Sequence, residues 1–382
     1  MALPLLRHCE QSLQPTDRLI VVARSPITAD LLRDFSWKPN VEIWSSRPGF
    51  ISKKLWPAFL LVKLRKCQPT LILAPMLVDR LCNAIWLALT GAQQAIVPIG
   101  RWLGRFRRSI AVQVRPKTHK VDECLAFAAS AGLGTPSSSN LAQFLSTLHP
   151  ETVQRSFIRL PLDRQWVAIA PGSGVAESHK RYPPPNFQDV IALLFAALPS
   201  VGVVLLGSNE ERELLHTIAQ AAHPDSDRCI LFPGLPFAHT LRLLTQTRCL
   251  VTACSGASHL GALANIPIVG LYGPTNPGYT GAYSKHLHVV RLGLQCSPCY
   301  RNNLLSGCGT PVCMSRIPPT TVVQTVLQCL NGAPAPPTPW CETTNAFRPI
   351  YSIACKDFTS GQPSAHSMPT TCEESFITCR AP

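Results

Sequence analysis

Val251-Thr-Ala-Cys-Ser-Gly-Ala-Ser-His-Leu-Gly-Ala-Leu-Ala-Asn-Ile-Pro-Ile-Val-Gly-Leu-Tyr-Gly-Pro-Thr-Asn-Pro-Gly278 is the stretch on which the fold turns. Its lead-in, Cys249 to Thr252, is a short apolar run with the look of a buried strand, and Ile266 to Tyr272 is a second. Between them Ser255-Gly256 makes a small-residue turn, and the spacing of apolar residues predicts a helix from near Ser258 to Ala264. Strand, turn, helix and strand make a βαβ unit. A helix opening at such a turn aims its free amides and the positive end of its macrodipole at whatever lies beyond the strand end, an arrangement that suits a pyrophosphate. His259 falls in the first turn, where it either donates to phosphate oxygens or satisfies a neighbouring carbonyl. Thr275 is either a hydroxyl of the same site or a turn residue.

Working outward, Leu19 to Ala23, Thr70 to Ala74, Trp166 to Ala170 and Val201 to Leu206 have the same buried-strand character. Helical spacing recurs in Ala29 to Asp34, Leu81 to Thr90, Phe187 to Leu198 and Glu210 to Ala222. Alternating strands and helices predict an α/β protein with parallel sheets. Periodicity breaks at Gly134 to Asn140 and again from Glu151 to Arg164, so two doubly wound domains facing a cleft are expected, over residues 1–150 and 151–330. After Leu330 the chain becomes rich in proline and then polar and cysteine-containing, and residues 331–382 are expected to be disordered.

A second loop with phosphate-binding chemistry follows the Trp166 to Ala170 strand. Pro171-Gly-Ser-Gly174 lets backbone amides, and Ser173, approach an anion, and Lys180 adds a mobile positive charge. Taken alone, a glycine-rich turn of this kind also serves purely steric ends.

Composition narrows the class. Of 382 residues 46% are apolar, yet no run of about 18 apolar residues is present, which argues against a membrane-spanning helix. The start, Met1 to Arg7, lacks the length and cleavage site of a signal peptide, so a cytoplasmic protein is expected. Most of the sixteen cysteines are scattered through apolar segments as small hydrophobes. The exceptions are Cys296, Cys299, Cys308 and Cys313, which either hold a structural zinc through four thiolates or remain free or redox-labile thiols. The net charge of +14 is concentrated in residues 1–150, which hold 19 Lys/Arg against 8 Asp/Glu, a surplus of 19 − 8 = +11. Arg101, Arg105, Arg107 and Arg108, interleaved with aromatic residues, form its densest patch and suit an anionic membrane surface or phosphorylated glycolipid. No nucleic-acid module accompanies that patch, and no Gly-x-Gly-x-x-Gly with a following acidic residue supports a nicotinamide enzyme.

Ser255-Gly-x-x-His-Leu260 followed by Pro267-x-x-x-Leu-Tyr-Gly-Pro-Thr-x-Pro277 resembles the donor-site signature of glycosyltransferase family 9, the ADP-heptose:lipopolysaccharide heptosyltransferases. Pro171-Gly-x-Gly with Lys180-Arg-Tyr-Pro, Gly207-Ser-Asn-Glu-Glu211, Phe232-Pro-Gly and Cys296-Ser-Pro-Cys299 follow the family in order. The resemblance is close over residues 165–330 and looser before them, through Leu3 to Arg7, Gly91-Ala92 and His119-Lys-Val-Asp122.

The resemblance implies a GT-B architecture of two Rossmann-like domains and an inverting, metal-independent transfer of heptose or a related sugar. The donor would be an ADP-sugar, the acceptor a lipopolysaccharide-type or other cell-surface glycan, and no further cofactor is expected. Ser173, Lys180, Glu211, Cys254, Ser255, Gly256, His259 and Thr275 become donor-binding residues. Lys180 would steady the leaving diphosphate, and Glu211, otherwise a solvent-facing helix-start residue, would bond the ribose. Two departures bear on activity. Family members begin with a strand and a loop carrying the Asp general base, whereas this sequence opens at the following helix, so no base is assignable. Cys254 also stands where the family has Asp. A nucleotide-sugar-binding protein without turnover is therefore the alternative expectation.

Overall fold

The structure, a computed structural model, describes residues 2–23, 26–45, 56–75, 80–103, 109–112, 118–134, 158–220, 227–299, 308, 311–332 and 335. Most of the junction, most of the tail after Leu330, and Arg105, Arg107 and Arg108 lie outside the described residues.

The amino-terminal part runs α1 (Leu3–Ser12), β1 (Leu19–Ala23), α2 (Pro26–Arg33), β2 (Val41–Ser45), α3 (Trp56–Cys67), β3 (Leu71–Leu73), α4 (Leu81–Leu89), β4 (Gln94–Pro98), β5 (Ser109–Val112) and α5 (Lys120–Ser130). All its strand pairs are parallel, but they form two sheets, β1-β2 and β3-β4-β5. Arg7 of α1 is buried, with its guanidinium 3.9 Å from the Trp37 ring; it donates to Ser36 O and Glu10, and Glu10 accepts from Lys38 N. That network fixes α1 to the loop after α2 and pairs the buried Arg7 charge with the Glu10 carboxylate.

The carboxy-terminal part contains β6 (Gln165–Ala170), α6 (Pro184–Ala197), β7 (Val201–Gly207), α7 (Arg212–Gln220), β8 (Cys229–Pro233), α8 (Phe237–Leu244), β9 (Cys249–Ala253), α9 (Gly256–Ala264), β10 (Ile268–Leu271), α10 (Pro277–Thr280), β11 (Leu287–Val290), α11 (Val312–Ser315) and α12 (Pro319–Leu330). Its strands form one parallel six-stranded sheet in the order β11-β10-β9-β6-β7-β8. Along β6 the side chains alternate: Val167 and Ile169 enter a core with α6, α7 and α12, while Ala168 and Ala170 enter the opposite core with α8 and α9. Burial on both faces explains why these strands are continuous apolar runs in the sequence. The α8 side also receives the amino-terminal part: Val21, Leu32 and Phe35 share its core, and the Phe35 and Phe237 rings lie 5.9 Å apart.

The chain leaves β6 toward β7 and β8 on one side and returns through β9 toward β10 and β11 on the other. Strand order therefore reverses between β6 and β9, and the crevice outside the carboxyl ends of such a pair is where open α/β sheets bind ligands.

Candidate functional site

The carboxy-terminal residues expected to bind the donor all lie in the segments that follow the carboxyl ends of β6, β7, β9 and β10. Ala170 and Thr252 are register partners in β6 and β9, and the Thr252 hydroxyl donates to Ala170 O at 3.0 Å. That bond clamps the two strand ends together, so the Pro171–Gly174 loop lies beside the Cys254–Gly256 turn.

Helix α9 opens from this turn one residue or two earlier than the spacing predicts. Its N-cap, Ser255, is in extended conformation, and its side chain makes no cap hydrogen bond; Oγ lies 3.1 Å from Thr252 Oγ1 instead. Ser258 N donates to Ser255 O at 3.2 Å, and the amides of Gly256 and Ala257 are left for a partner other than the cap side chain. Open space lies where a side chain on Gly256 or Gly174 would project. The helix sits close on the sheet because Gly261 has no side chain: a Cβ there would lie 2.9 Å from Ile268 Cγ1 and from Leu250 Cδ2.

Across the switch point Ser173 is buried and donates to Glu177 O at 2.8 Å. Lys180, at the end of a 3-10 turn (Val175–Lys180), is also buried, and its Nζ donates to Glu177 Oε1 at 2.7 Å. The expected mobile cation is therefore held by a neighbouring carboxylate. Glu211 closes a capping box after β7, accepting from Ser208 N at 2.9 Å. Its carboxylate rests on Gly172: a Cβ at Gly172 would lie 1.9 Å from Oε1. Arg181 joins them, 3.8 Å from Glu211 and donating to Ser173 O at 2.5 Å. Ser173, Lys180 and Glu211 are thus brought together, linked through Glu177 and Arg181, two residues that the sequence reading did not single out. Glu177 stands three residues before Lys180, a spacing that pairs opposite charges on a helical turn; Arg181 had no signal beyond adjacency to Lys180.

Cys254 is buried and faces α10, its Sγ 3.6 Å from Thr280 Oγ1. Thr275, just beyond β10, is buried, with an Oγ1 that makes no hydrogen bond. His259 lies on α9 toward the amino-terminal part, and burial, with His119 nearby, pushes it down to about 3. It is neutral at physiological pH, which removes a cationic role and leaves a neutral one.

His119 caps α5, and its Nδ1 accepts from Val121 N at 3.1 Å. That acceptance places the ring proton on Nε2, which donates to Gly281 O at 3.1 Å. The Tyr283 hydroxyl donates to Asp122 Oδ1 at 2.7 Å, and the Tyr283 and His119 rings lie 4.9 Å apart. The weakly matching His119–Asp122 segment thus bonds directly to the segment after α10. No signal in the sequence links Asp122 with Tyr283, 161 positions apart.

Among the described residues no group of three or more His, Cys, Asp or Glu is placed to hold a metal ion; Cys296 and Cys308 are exposed and Cys313 is buried. Cys313 turns into the core against Gly273, and burial, with Cys299, Cys296 and Cys308 nearby, pushes its thiol up to about 12. Arg101 is exposed, its guanidinium 5.2 Å from the Trp102 ring.

The model of glycosyltransferase family 9 (heptosyltransferase) matches residues 93–308, more than half of the chain. The chain belongs to glycosyltransferase family 9. Among its relatives, lipopolysaccharide heptosyltransferase 1 of Pseudomonas aeruginosa is 33% identical over 95 residues, 25% of this chain and 26% of that protein. The aligned segments span between 26% and 38% of the length of the curated relatives. Among solved structures, Escherichia coli ADP-heptose lps heptosyltransferase II superposes with a TM-score of 0.62 at 20% identity, covering 87% of this chain and 94% of that one. The E. coli heptosyltransferase WaaC with ADP gives a TM-score of 0.58 at 19% identity, covering 86% and 95%. These likenesses establish the GT-B arrangement of parallel α/β sheets expected from the signature. They match the family's fold over the amino-terminal part as well, where the sequence motifs were loosest.

Proposed function

We propose that this family 9 member transfers heptose or a related sugar from an ADP-linked donor to a lipopolysaccharide-type glycan, with inversion and without a metal. The observation that carries this reading is the α9 amino terminus, uncapped by its own N-cap side chain, at the β6/β9 switch point whose other strand leads into the segment carrying Lys180. Its family relatives are heptosyltransferases, and one of them, WaaC of E. coli, binds ADP.

In this reading the diphosphate lies over the first amides of α9, and Lys180 exchanges Glu177 for a phosphate oxygen. As the glycosidic bond breaks, negative charge builds on the leaving diphosphate; fixed amides and an ammonium group stabilise it without reorganising solvent. Glu211, steadied by Ser208 and Arg181, accepts from the ribose hydroxyls. Neutral His259 and the Thr275 hydroxyl donate at the edges of the site. Cys254 supplies only a weak donor where family members carry a carboxylate, so this subsite reads the sugar by shape more than by charge. No described residue is assigned the general base. Arg101, with Arg105, Arg107 and Arg108, would face anionic headgroups that carry the acceptor.

Titration of the full chain with ADP tests the donor half of this reading. Lys180→Ala is expected to weaken ADP binding roughly 10- to 100-fold, the worth of one charge-assisted contact. Equal affinity in both proteins would remove Lys180 from the site. The comparisons lend no support to the alternative of binding without turnover, and single-turnover release of ADP from an ADP-heptose donor distinguishes the two.

A further inference from the structure

Between β10 and β11 the chain leaves the sheet, from Tyr272 to His286, and this excursion carries Thr275 and α10. A helix as short as α10, Pro277–Thr280, does not hold itself in water. Its own bonds close it locally: Asn276 Oδ1 accepts from Gly278 N at 2.9 Å, and Gly281 N donates to Pro277 O at 2.9 Å. Neither bond fixes where the turn stands beside the carboxyl end of β9, where Thr280 Oγ1 lies 3.6 Å from Cys254 Sγ. A thiol is a weak hydrogen-bond partner, so that contact does little to place α10.

The amino-terminal part holds the far end of the excursion. His119 Nε2 donates to Gly281 O at 3.1 Å, and the Tyr283 hydroxyl donates to Asp122 Oδ1 at 2.7 Å. Both partners belong to the start of α5, His119 as its N-cap and Asp122 in its first turn. These tethers are stiff. The His119 ring cannot turn without losing Val121 N, which donates to its Nδ1. Tyr283 packs at once on the α1/α5 cluster of the amino-terminal part and on the core beneath α9, so its ring is held on both sides. Gly281 passes the constraint to α10 through the backbone: a Cβ there would lie 2.4 Å from Pro277 O. A continuous series of contacts therefore runs from α5 through Gly281 and α10 to Cys254.

We propose that Asp122, His119 and Tyr283 are positioning residues for the sugar half of the donor site. They set where α10 stands beside Cys254, and with it the shape presented to the sugar, without being asked to touch the donor. The nucleotide half is built on the ends of β6, β7 and β9 and does not depend on them. Through this brace the amino-terminal part takes a share in reading a ligand bound by the carboxy-terminal part. The inference rests on the donor reading given under the proposed function.

The test uses the full chain and its Tyr283→Phe, Asp122→Asn and Asp122→Ala variants, with hydrogen exchange and calorimetric titration of ADP and ADP-heptose. In Tyr283→Phe, which keeps the ring and removes only the hydroxyl, residues 275–283 are expected to exchange about tenfold faster, with Gly256–Ala264 unchanged. ADP affinity is expected to stay within about twofold of the unmodified chain, while the preference for ADP-heptose over ADP falls about threefold or more. Asp122→Asn still offers an oxygen to the Tyr283 hydroxyl and is expected to keep most of that preference. Asp122→Ala is expected to lose it, and adding Tyr283→Phe to lower it no further. A general loosening of the fold would weaken both ligands alike. That result, or an unchanged preference in both Tyr283→Phe and Asp122→Ala, would overturn the proposal and leave the donor reading standing. An unmodified chain that binds neither ligand would overturn the donor reading itself, and this inference with it.

Discussion

At the scale of single residues the site depends on contacts that remove freedom from charged side chains. Glu211 lies against a glycine, and this makes Gly172 a sensitive position although it carries no chemistry. Gly172→Ala places a methyl group where the Glu211 carboxylate now rests. The carboxylate is the far end of a flexible side chain, so the fold survives while Glu211 leaves its bond to Ser208 N. The expected outcome is a loss of ADP affinity close to that of Glu211→Ala, roughly 5- to 20-fold, with a melting midpoint lowered by only a few degrees. Calorimetric titration of both variants checks this. Unchanged affinity in Gly172→Ala would separate Glu211 from the donor.

The histidines give a pH dependence with a definite sign. His259 is held neutral down to about 3, against an ordinary value of 6.5, and burial lowers His119 as well. Between these limits the unfolded chain binds protons that the folded chain does not. Stability contributed by neutral His259 is therefore complete above about pH 6.5 and is lost as the pH falls toward 3, at no more than about 1.4 kcal/mol per pH unit. Urea unfolding across this range is expected to show the decline, and His259→Asn to flatten it.

At the scale of elements, α9 delivers its amino terminus to the strand ends because small residues let it approach the sheet. Gly261→Val would drive a side chain into Ile268 and Leu250, both fully buried, and push the helix outward. A stability loss of about 1–3 kcal/mol is expected, together with weaker ADP binding, although the residue lies far from the phosphate. Denaturant unfolding with ADP titration checks both parts. The sequence made this element legible: β9, α9 and β10 were read nearly to their ends, because a strand buried on both faces and a helix of small and apolar residues leave opposite signatures in one short stretch. The helix starts at Gly256 and not near Ser258, since the first turn has no large apolar residue to mark it. β10 begins at Ile268 and not Ile266, since Pro267 has no amide to give the ladder. β2, β4, β5, β8 and β11, each four or five residues long, escaped notice because runs so short carry little periodicity. The pairing of Lys180 with Glu177 and the bridge from Asp122 to Tyr283 depend on tertiary placement that periodicity does not carry.

At the scale of the whole molecule the two parts differ in completeness. The carboxy-terminal sheet is continuous and buried, and its switch point brings together side chains from four strand ends. The amino-terminal part is divided between β1 and β3, and it is also where the family motifs in the sequence are loosest. The parts meet through Phe35 against Phe237, His119 on Gly281 and Asp122 with Tyr283. Among the described residues no helix is long and apolar enough to cross a membrane.

The claim on which the functional reading depends is that a nucleoside diphosphate seats on the amino end of α9. A crystal structure of the full chain with ADP tests it most directly. The expected map shows phosphate oxygens within hydrogen-bond distance of the backbone nitrogens of Gly256 and Ala257, with Lys180 turned from Glu177 toward them. ADP bound elsewhere, or phosphates in contact with neither α9 nor Lys180, would contradict the account.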